Sequence, residues 1–97
     1  MTQACDAKII DVILDYREHT REQVFSGSRK RELVETRRLI CFFLKKLTKL
    51  PLAQIGKLVG GRDHTTVIHS LASLRDLMDT EVEVRREVNY LTEVLAR

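Results

Sequence analysis

A short polar segment, Gly60-Gly61-Arg62-Asp63-His64-Thr65-Thr66, concentrates the side chains best suited to recognise another molecule. An arginine guanidinium can donate two parallel hydrogen bonds to guanine, and a carboxylate can accept one from the amino group of cytosine. Threonine offers a methyl group to thymine and a hydroxyl to a base or phosphate, while histidine donates or accepts according to its tautomer. These residue types therefore favour contacts with the edges of DNA bases.

The same segment does not fit a metal site or an enzyme. His64 and His69 are five residues apart, whereas paired ligands on one helix face are four apart. The sequence contains no G-x-S-x-G serine motif and no G-x-x-x-x-G-K-[ST] phosphate-binding loop. We therefore predict a binding protein with no catalytic residue, no metal and no other cofactor.

The charge is segregated along the chain, and the net charge of +3 conceals this. Residues 29–63 carry ten basic and three acidic side chains, a net charge of +7, and the remaining residues sum to −4. Solvated helix faces would account for charge but not for its separation, so the basic middle favours a polyanion such as nucleic acid. The acidic flanks leave open a second class, a helical adaptor that docks another protein.

The length and composition indicate a single domain spanning residues 1–97. The longest apolar run, residues 39–44, is far shorter than the ~20 residues that a membrane span requires. The N-terminus lacks a basic stretch followed by an apolar block, so no secretory signal is predicted. Cys5 and Cys41 are widely spaced, which is typical of reduced thiols, and Cys41 lies among apolar residues that predict packing. We expect a cytoplasmic protein.

Apolar residues recur at helical spacing throughout, which predicts an all-α fold. The pair Thr20 and Gln23 fits a capping box at the start of a short second helix. A basic loop, residues 26–31, then precedes the helix with the strongest apolar face, in which Phe42 and Phe43 are assigned to the core. The predicted helices span about 6–18, 20–25, 32–48, 51–59 and 63–78, followed by a last helix capped by Thr80.

The segment at about 51–78 predicts a helix-turn-helix. Pro51 suits a helix start, Gly60-Gly61 permits the positive φ of a sharp turn, and Asp63 is a good N-cap. The second helix has a wholly polar first turn and only then a buried stripe, as a recognition helix in the major groove requires. That predicted stripe consists of Val67, Ile68, Leu71, Leu74 and Met78.

The segment Gly60–His69 resembles the signature of the C-terminal DNA-binding domain of DnaA, the bacterial chromosomal replication initiator. The resemblance extends upstream through Leu47-Thr48, Leu52 and Ile55-Gly56 to the basic loop. It implies a helical domain with a helix-turn-helix like that of the Trp repressor, binding a short asymmetric DnaA box in double-stranded DNA. One monomer for each site, association with the nucleoid and contact with other replication proteins are further implications.

The resemblance also implies a role for each matched position. Arg29 of the basic loop would enter the minor groove, with Arg31 as a neighbouring contact, because narrow A/T-rich minor grooves attract arginine. Lys45, Thr48 and the start of the short helix, with Lys57 nearby, would hold phosphates. The implied readers of the major groove are Arg62, Asp63, His64, Thr65 and Thr66.

Several positions depart from the family pattern. The usual Leu-Pro at the start of the short helix is Leu52-Ala53 here, and a proline before the long core helix is replaced by Thr36. These changes bear more on backbone and phosphate contacts than on base contacts. Because no ATP-binding loop occurs, the expectation is DNA binding without ATPase activity, in replication initiation or its regulation. The sequence leaves open an excised domain or a free-standing homologue, and specific or non-specific DNA binding.

Overall fold

The structure, a computed structural model, describes residues 6–96, so Cys5 lies outside the part described. This part consists of six α-helices and contains no strand, which confirms the predicted all-α fold. The helices are α1 (Asp6–Arg17), α2 (Arg21–Val24), α3 (Arg31–Leu47), α4 (Leu52–Leu58), α5 (His64–Thr80) and α6 (Val82–Ala96). None of these helices is both long enough and apolar enough to cross a membrane.

The central helix of the fold is α3, which packs against α1, α2, α4 and α5, while α6 covers α5 and α1. Apolar side chains at spacings of three and four residues give each long helix one buried face. Phe43, Ile40 and Leu44 of α3 are completely buried at the centre of the core. The other core residues are Ile9, Ile10, Ile13, Leu14, Val24, Leu33, Leu39, Cys41, Ile55, Val59, Val67, Leu74, Val88 and Leu91.

The short second helix forms as its capping box predicts. The Thr20 hydroxyl accepts a hydrogen bond from the backbone N–H of Gln23 at 3.2 Å, and the Gln23 side chain accepts one from the Thr20 N–H at 3.0 Å. These two bonds satisfy N–H groups that a helix start otherwise leaves unpaired. The chain is thereby directed from α1 into the basic loop.

Arg17 at the end of α1 connects three helices. Its guanidinium lies 3.0 Å from Glu35 of α3 and 2.9 Å from Glu87 of α6. Its Nε also donates to the buried hydroxyl of Thr36 at 3.1 Å. Thr36, where the family usually has proline, therefore contributes a hydroxyl that takes part in fixing α1 on α3.

One prediction about a helix boundary is wrong, and one about the core is only partly right. Thr80 does not cap the last helix: it is the final residue of α5, its hydroxyl donates to the Asp76 carbonyl at 3.1 Å, and α6 begins at Val82. A threonine that bonds back to the fourth preceding carbonyl continues a helix instead of starting one. Phe42 is only partly buried, and the Lys46 ammonium lies 5.5 Å from its ring centroid.

Candidate nucleic-acid interface

The helix-turn-helix consists of α4, the turn at residues 59–63 and α5. Gly60 and Gly61 adopt φ values of 102° and 72°, as predicted for this turn, and such positive angles strain any residue with a Cβ. The Arg62 N–H donates to the Gly56 carbonyl at 2.8 Å, which brings the turn back against α4. A Cβ on Gly56 would overlap the Arg62 carbonyl, so the angle between the two helices depends on this glycine.

The first turn of α5 projects a continuous polar surface. Asp63 is the N-cap, as predicted, and its carboxylate accepts a hydrogen bond from the Thr66 N–H at 3.1 Å. His64, Thr65 and Thr66 are exposed together with Asp63, whereas the next residue, Val67, is completely buried. The buried residue fixes the helix in the core, while the four preceding side chains are exposed to solvent.

Ile68 is exposed, although its place in the apolar stripe predicted burial. Its exposed fraction is 46%, and it lies four residues after His64, which places both on one side of α5. A helical position one step outside the buried stripe turns away from the core, and periodicity alone assigned it wrongly. An exposed apolar side chain beside polar base readers can contact the methyl group of thymine.

The basic loop is ordered by its two serines. The Ser26 hydroxyl donates to the Gln23 carbonyl at 2.7 Å and accepts from the Ser28 N–H at 3.2 Å. The Ser28 hydroxyl in turn accepts from the Lys30 N–H at 3.2 Å. Such local hydrogen bonds between side chains and the backbone stabilise turns that lack the regular backbone hydrogen bonds of a helix or sheet.

The cations at the end of the basic loop face solvent. Arg29 is exposed and, within residues 6–96, its side chain forms no ion pair. Arg31 belongs to α3 rather than to the loop, and its Nε lies 3.3 Å from Glu35. Because the Arg31 side chain is 88% exposed, this pair is weak and leaves the guanidinium available to a stronger anionic partner.

Arg62, predicted as a base reader, is bound within the protein. Its Nη2 donates to the Ser26 carbonyl at 2.7 Å, and its Nη1 donates to the Val59 carbonyl. The side chain is partly buried, unlike the exposed residues at 63–66. The structure thus joins the helix-turn-helix to the basic loop, which the sequence could relate only through resemblance.

Arg37 lies in the basic middle of the sequence, residues 29–63, where its residue type alone predicted no specific role. Its Nη2 donates to the Ser28 carbonyl, and its Nε is buried with no hydrogen-bond partner among the described residues. Burial, and then repulsion from Arg62, lower the pKa of Arg37. Only the position of Arg37 on the face of α3 next to the apolar stripe could have suggested an inward orientation.

Two of the three predicted phosphate contacts have exposed side chains. Lys45 near the end of α3 and Lys57 in α4 are exposed. Thr48 is the C-cap of α3; its hydroxyl donates to the Leu44 carbonyl and accepts from the Leu50 N–H at 3.3 Å. Thr48 therefore has a structural role that is independent of any phosphate.

The described residues can also be examined for metal binding and for a reactive thiol. Within residues 6–96, no three His, Cys, Asp or Glu side chains cluster as a metal site would require. Cys41 is buried, as its apolar neighbours predicted, and burial raises the pKa of its thiol to about 12. A thiol that is so rarely ionised is a poor nucleophile.

Comparison with known proteins identifies the family. The family described as "Bacterial dnaA protein helix-turn-helix" matches residues 7–73, from the second residue of α1 to the middle of α5. The chain is 42% identical over 72 residues to the chromosomal replication initiator protein DnaA of Ehrlichia ruminantium (strain Gardel), a match that covers 74% of this chain and 16% of the relative.

Two further relatives carry the same name. The protein of Flavobacterium psychrophilum is 36% identical over 85 residues, covering 88% of this chain and 18% of the relative. That of Rickettsia canadensis is 39% identical over 70 residues, covering 72% and 15%. The chain thus spans less than a fifth of the length of these relatives. With the helix-turn-helix observed where the family profile matches, the chain belongs to the bacterial DnaA helix-turn-helix family.

Proposed function

We propose that this chain binds double-stranded DNA in a sequence-specific manner, at sites similar to DnaA boxes, in the initiation of replication or its regulation. The observation that carries the proposal is the first turn of α5, where four consecutive exposed polar residues precede a buried valine. This arrangement suits a recognition helix, whose N-terminal residues meet base edges in the major groove. The relatives' name, chromosomal replication initiator, supports the biological setting.

In this proposal the exposed side chains of α5 read the bases. The Asp63 carboxylate accepts from cytosine, His64 bonds to a base edge, and Thr65 and Thr66 contact bases or phosphates. The exposed Ile68 adds an apolar surface for a thymine methyl group. Asp63 has one carboxylate oxygen bound to the Thr66 N–H, and its second oxygen is available for a base.

Basic residues on neighbouring elements supply the phosphate and minor-groove contacts. Lys45 and Lys57 hold phosphates beside the recognition helix, and Thr48 joins them by exchanging its bond to the Leu44 carbonyl for one to a phosphate. Arg29 enters the adjacent minor groove with Arg31 near its edge. Such contacts position a protein on the duplex, and base contacts then provide the specificity. The chain acts by binding, as one monomer for each asymmetric site, within the bacterial nucleoid.

The test measures affinity by fluorescence anisotropy on two labelled duplexes, one with a single DnaA box from a bacterial origin and one with the same bases scrambled. The chain should prefer the box duplex, and its affinity should fall steeply with salt because bound cations release counterions from the phosphates. Equal affinity for both duplexes across the salt range would refute specific recognition and leave non-specific DNA binding. No binding to either duplex would favour the protein adaptor.

Three variants separate base contacts from phosphate contacts. His64→Ala should reduce affinity for the box by about 1–3 kcal/mol and leave binding to scrambled DNA nearly unchanged. Lys45→Ala should lower the affinity for both duplexes by the same factor and reduce the slope of log affinity against log salt concentration by about 1. Lys8→Ala, which removes an exposed lysine from α1, is the matched control and should have little effect. Equal losses on both duplexes for His64→Ala would contradict direct readout.

A further inference from the structure

Two arginines from separate elements bind the backbone of the basic loop. Arg37 of α3 donates to the Ser28 carbonyl, and Arg62 of the turn donates to the Ser26 carbonyl at 2.7 Å. The two acceptors are two residues apart, so the loop is held at both sides of Gly27. Hydrogen bonds from a charged donor are stronger than those between neutral groups.

This arginine pair (Arg37 and Arg62) is electrostatically unfavourable in itself. Both side chains line one small cavity of about 120 Å³, together with Thr66 of the recognition helix. Repulsion from Arg62 contributes to the lowered pKa of Arg37, and neither guanidinium forms an ion pair within residues 6–96. Repulsion between two neighbouring cations destabilises the fold when no acidic side chain lies between them. The hydrogen bonds to the loop carbonyls offset this repulsion.

The turn provides the space in which Arg62 reaches the loop. A Cβ on Gly60 would overlap Nη1 of Arg62 and the carbonyl oxygen of Phe25, the residue directly before the loop. The glycine, the guanidinium and the loop backbone are therefore packed in direct contact. The approach of Gly60 to the Phe25 carbonyl joins two backbone segments without the arginine side chains, and it indicates the same close association of loop and turn.

We infer that the arginine pair fixes the basic loop against the helix-turn-helix and so sets the position from which Arg29 reaches DNA. Arg29 follows directly after Ser28, whose carbonyl Arg37 binds. Arg62 is thus a positioning residue that acts through Arg29, in contrast to the base contact predicted from the sequence. The inference rests on the proposed function, in which Arg29 occupies the minor groove while α5 occupies the major groove.

A loop fixed before binding has a clear benefit for two-groove recognition. The two grooves lie at a set spacing on the duplex, and a mobile arm would lose conformational entropy each time it bound. The serine bonds shape the loop locally, whereas the arginine pair attaches it to the body of the protein. Arg29 and the first turn of α5 are therefore held in a fixed position relative to each other.

The first experiment measures the mobility of the loop in the DNA-free chain by ¹⁵N relaxation. The variants are Arg37→Lys and Arg62→Lys, which keep the charge but lose the planar fork of donors. Arg86→Lys, at an exposed position on α6, is the control. In each variant of the arginine pair, the order parameters of the backbone amides at residues 26–29 should fall from about 0.85 to below 0.6. Unchanged order parameters would overturn the inference, whatever the chain does with DNA.

The second experiment is a double-mutant cycle on the box duplex. Arg62→Lys should reduce affinity roughly tenfold in the parent chain and less than about twofold in the Arg29→Ala background, because coupled residues are not additive. The same loss in both backgrounds would overturn the inference and would favour direct base contact by Arg62. If the parent chain does not prefer the box duplex, the proposed function fails separately, and the relaxation data still decide whether the arginine pair holds the loop.

Discussion

The contact between α4 and the turn makes Gly56→Ala a demanding test of the helix-turn-helix geometry. A Cβ at this position would overlap the Arg62 carbonyl and would lie 3.3 Å from the Asp63 carbonyl. Both obstacles are backbone atoms at the entry to α5, so they cannot rotate away as a flexible side chain could. The added methyl group must therefore push α4 and α5 apart.

The expected cost follows from two opposing effects. Extra volume in a well-packed region costs about 1–3 kcal/mol, whereas alanine within a helix is favoured over glycine by roughly 0.5–1 kcal/mol. Since the obstacle is backbone, we expect the first effect to prevail, with a net loss of about 1–2 kcal/mol in the free energy of unfolding. In a domain of this size, each 1 kcal/mol lowers the Tm by about 4–8 °C.

The measurement is urea unfolding followed by circular dichroism at neutral pH. Gly27→Ala is the matched control, because a Cβ at this exposed position meets no atom within 4 Å and its φ is not positive. The control should be neutral or more stable by up to about 1 kcal/mol, as fewer unfolded conformations are available to alanine. If Gly56→Ala proves as stable as Gly27→Ala with an unchanged m value, the argument from backbone contact is wrong.

Three further predictions concern single side chains. Asp63→Ala should lower stability by about 1 kcal/mol and weaken box binding, whereas Asp63→Asn should keep the cap and lose only DNA affinity; equal stability of both variants would contradict the capping role. Burial raises the pKa of Glu35, but bonds and attraction from Arg17 outweigh it, so folding lowers that pKa. The ionised Glu35 carboxylate therefore stabilises the fold above its unfolded pKa, and this stabilisation disappears as pH falls through its folded pKa. In urea unfolding, Glu35→Gln should be less stable than the parent chain at pH 7, and the difference in the free energy of unfolding should shrink below about pH 4. In a Cys5→Ser background, Cys41 should resist a thiol reagent at pH 8 until the chain is unfolded, and rapid labelling of the folded protein would disprove its burial.

Local signals in the sequence predicted most of the helices because their physical causes lie within a few residues. The capping box at Thr20, the N-cap at Asp63 and the positive φ of Gly60 all depend on neighbours along the chain, and each was predicted. The prediction that Thr80 caps the last helix was wrong because the role of this residue depends on contacts beyond its neighbours in sequence. A threonine can cap the next helix or bond back into the preceding one, and packing of α5 against α6 lies outside any local pattern.

The long-range features of the interface could not be predicted in the same way. Arg62 and Ser26 are separated by 36 residues, and nothing in residue type distinguishes an arginine that binds a carbonyl from one that is free. Ile68 is exposed because it lies one position beside the buried stripe of α5, and an apolar residue type does not reveal which edge of a stripe faces the core. The resemblance indicated the family, whereas the attachment of the basic loop to Arg62 of the turn and Arg37 of α3 is visible only in the folded structure.

The division of α5 into an exposed first turn and a buried remainder has a consequence for how new specificities could arise. His64 and Thr65 are exposed and take no part in the core, so their replacement should cost little stability. If they contact bases as proposed above, the same replacements should change the base preference. Asp63 is constrained, because only another capping residue keeps the helix start intact. Selection or protein engineering could therefore change the target sequence through substitutions at His64 and Thr65. A substitution at Asp63 must preserve the N-cap of α5 as well as provide the new base contact.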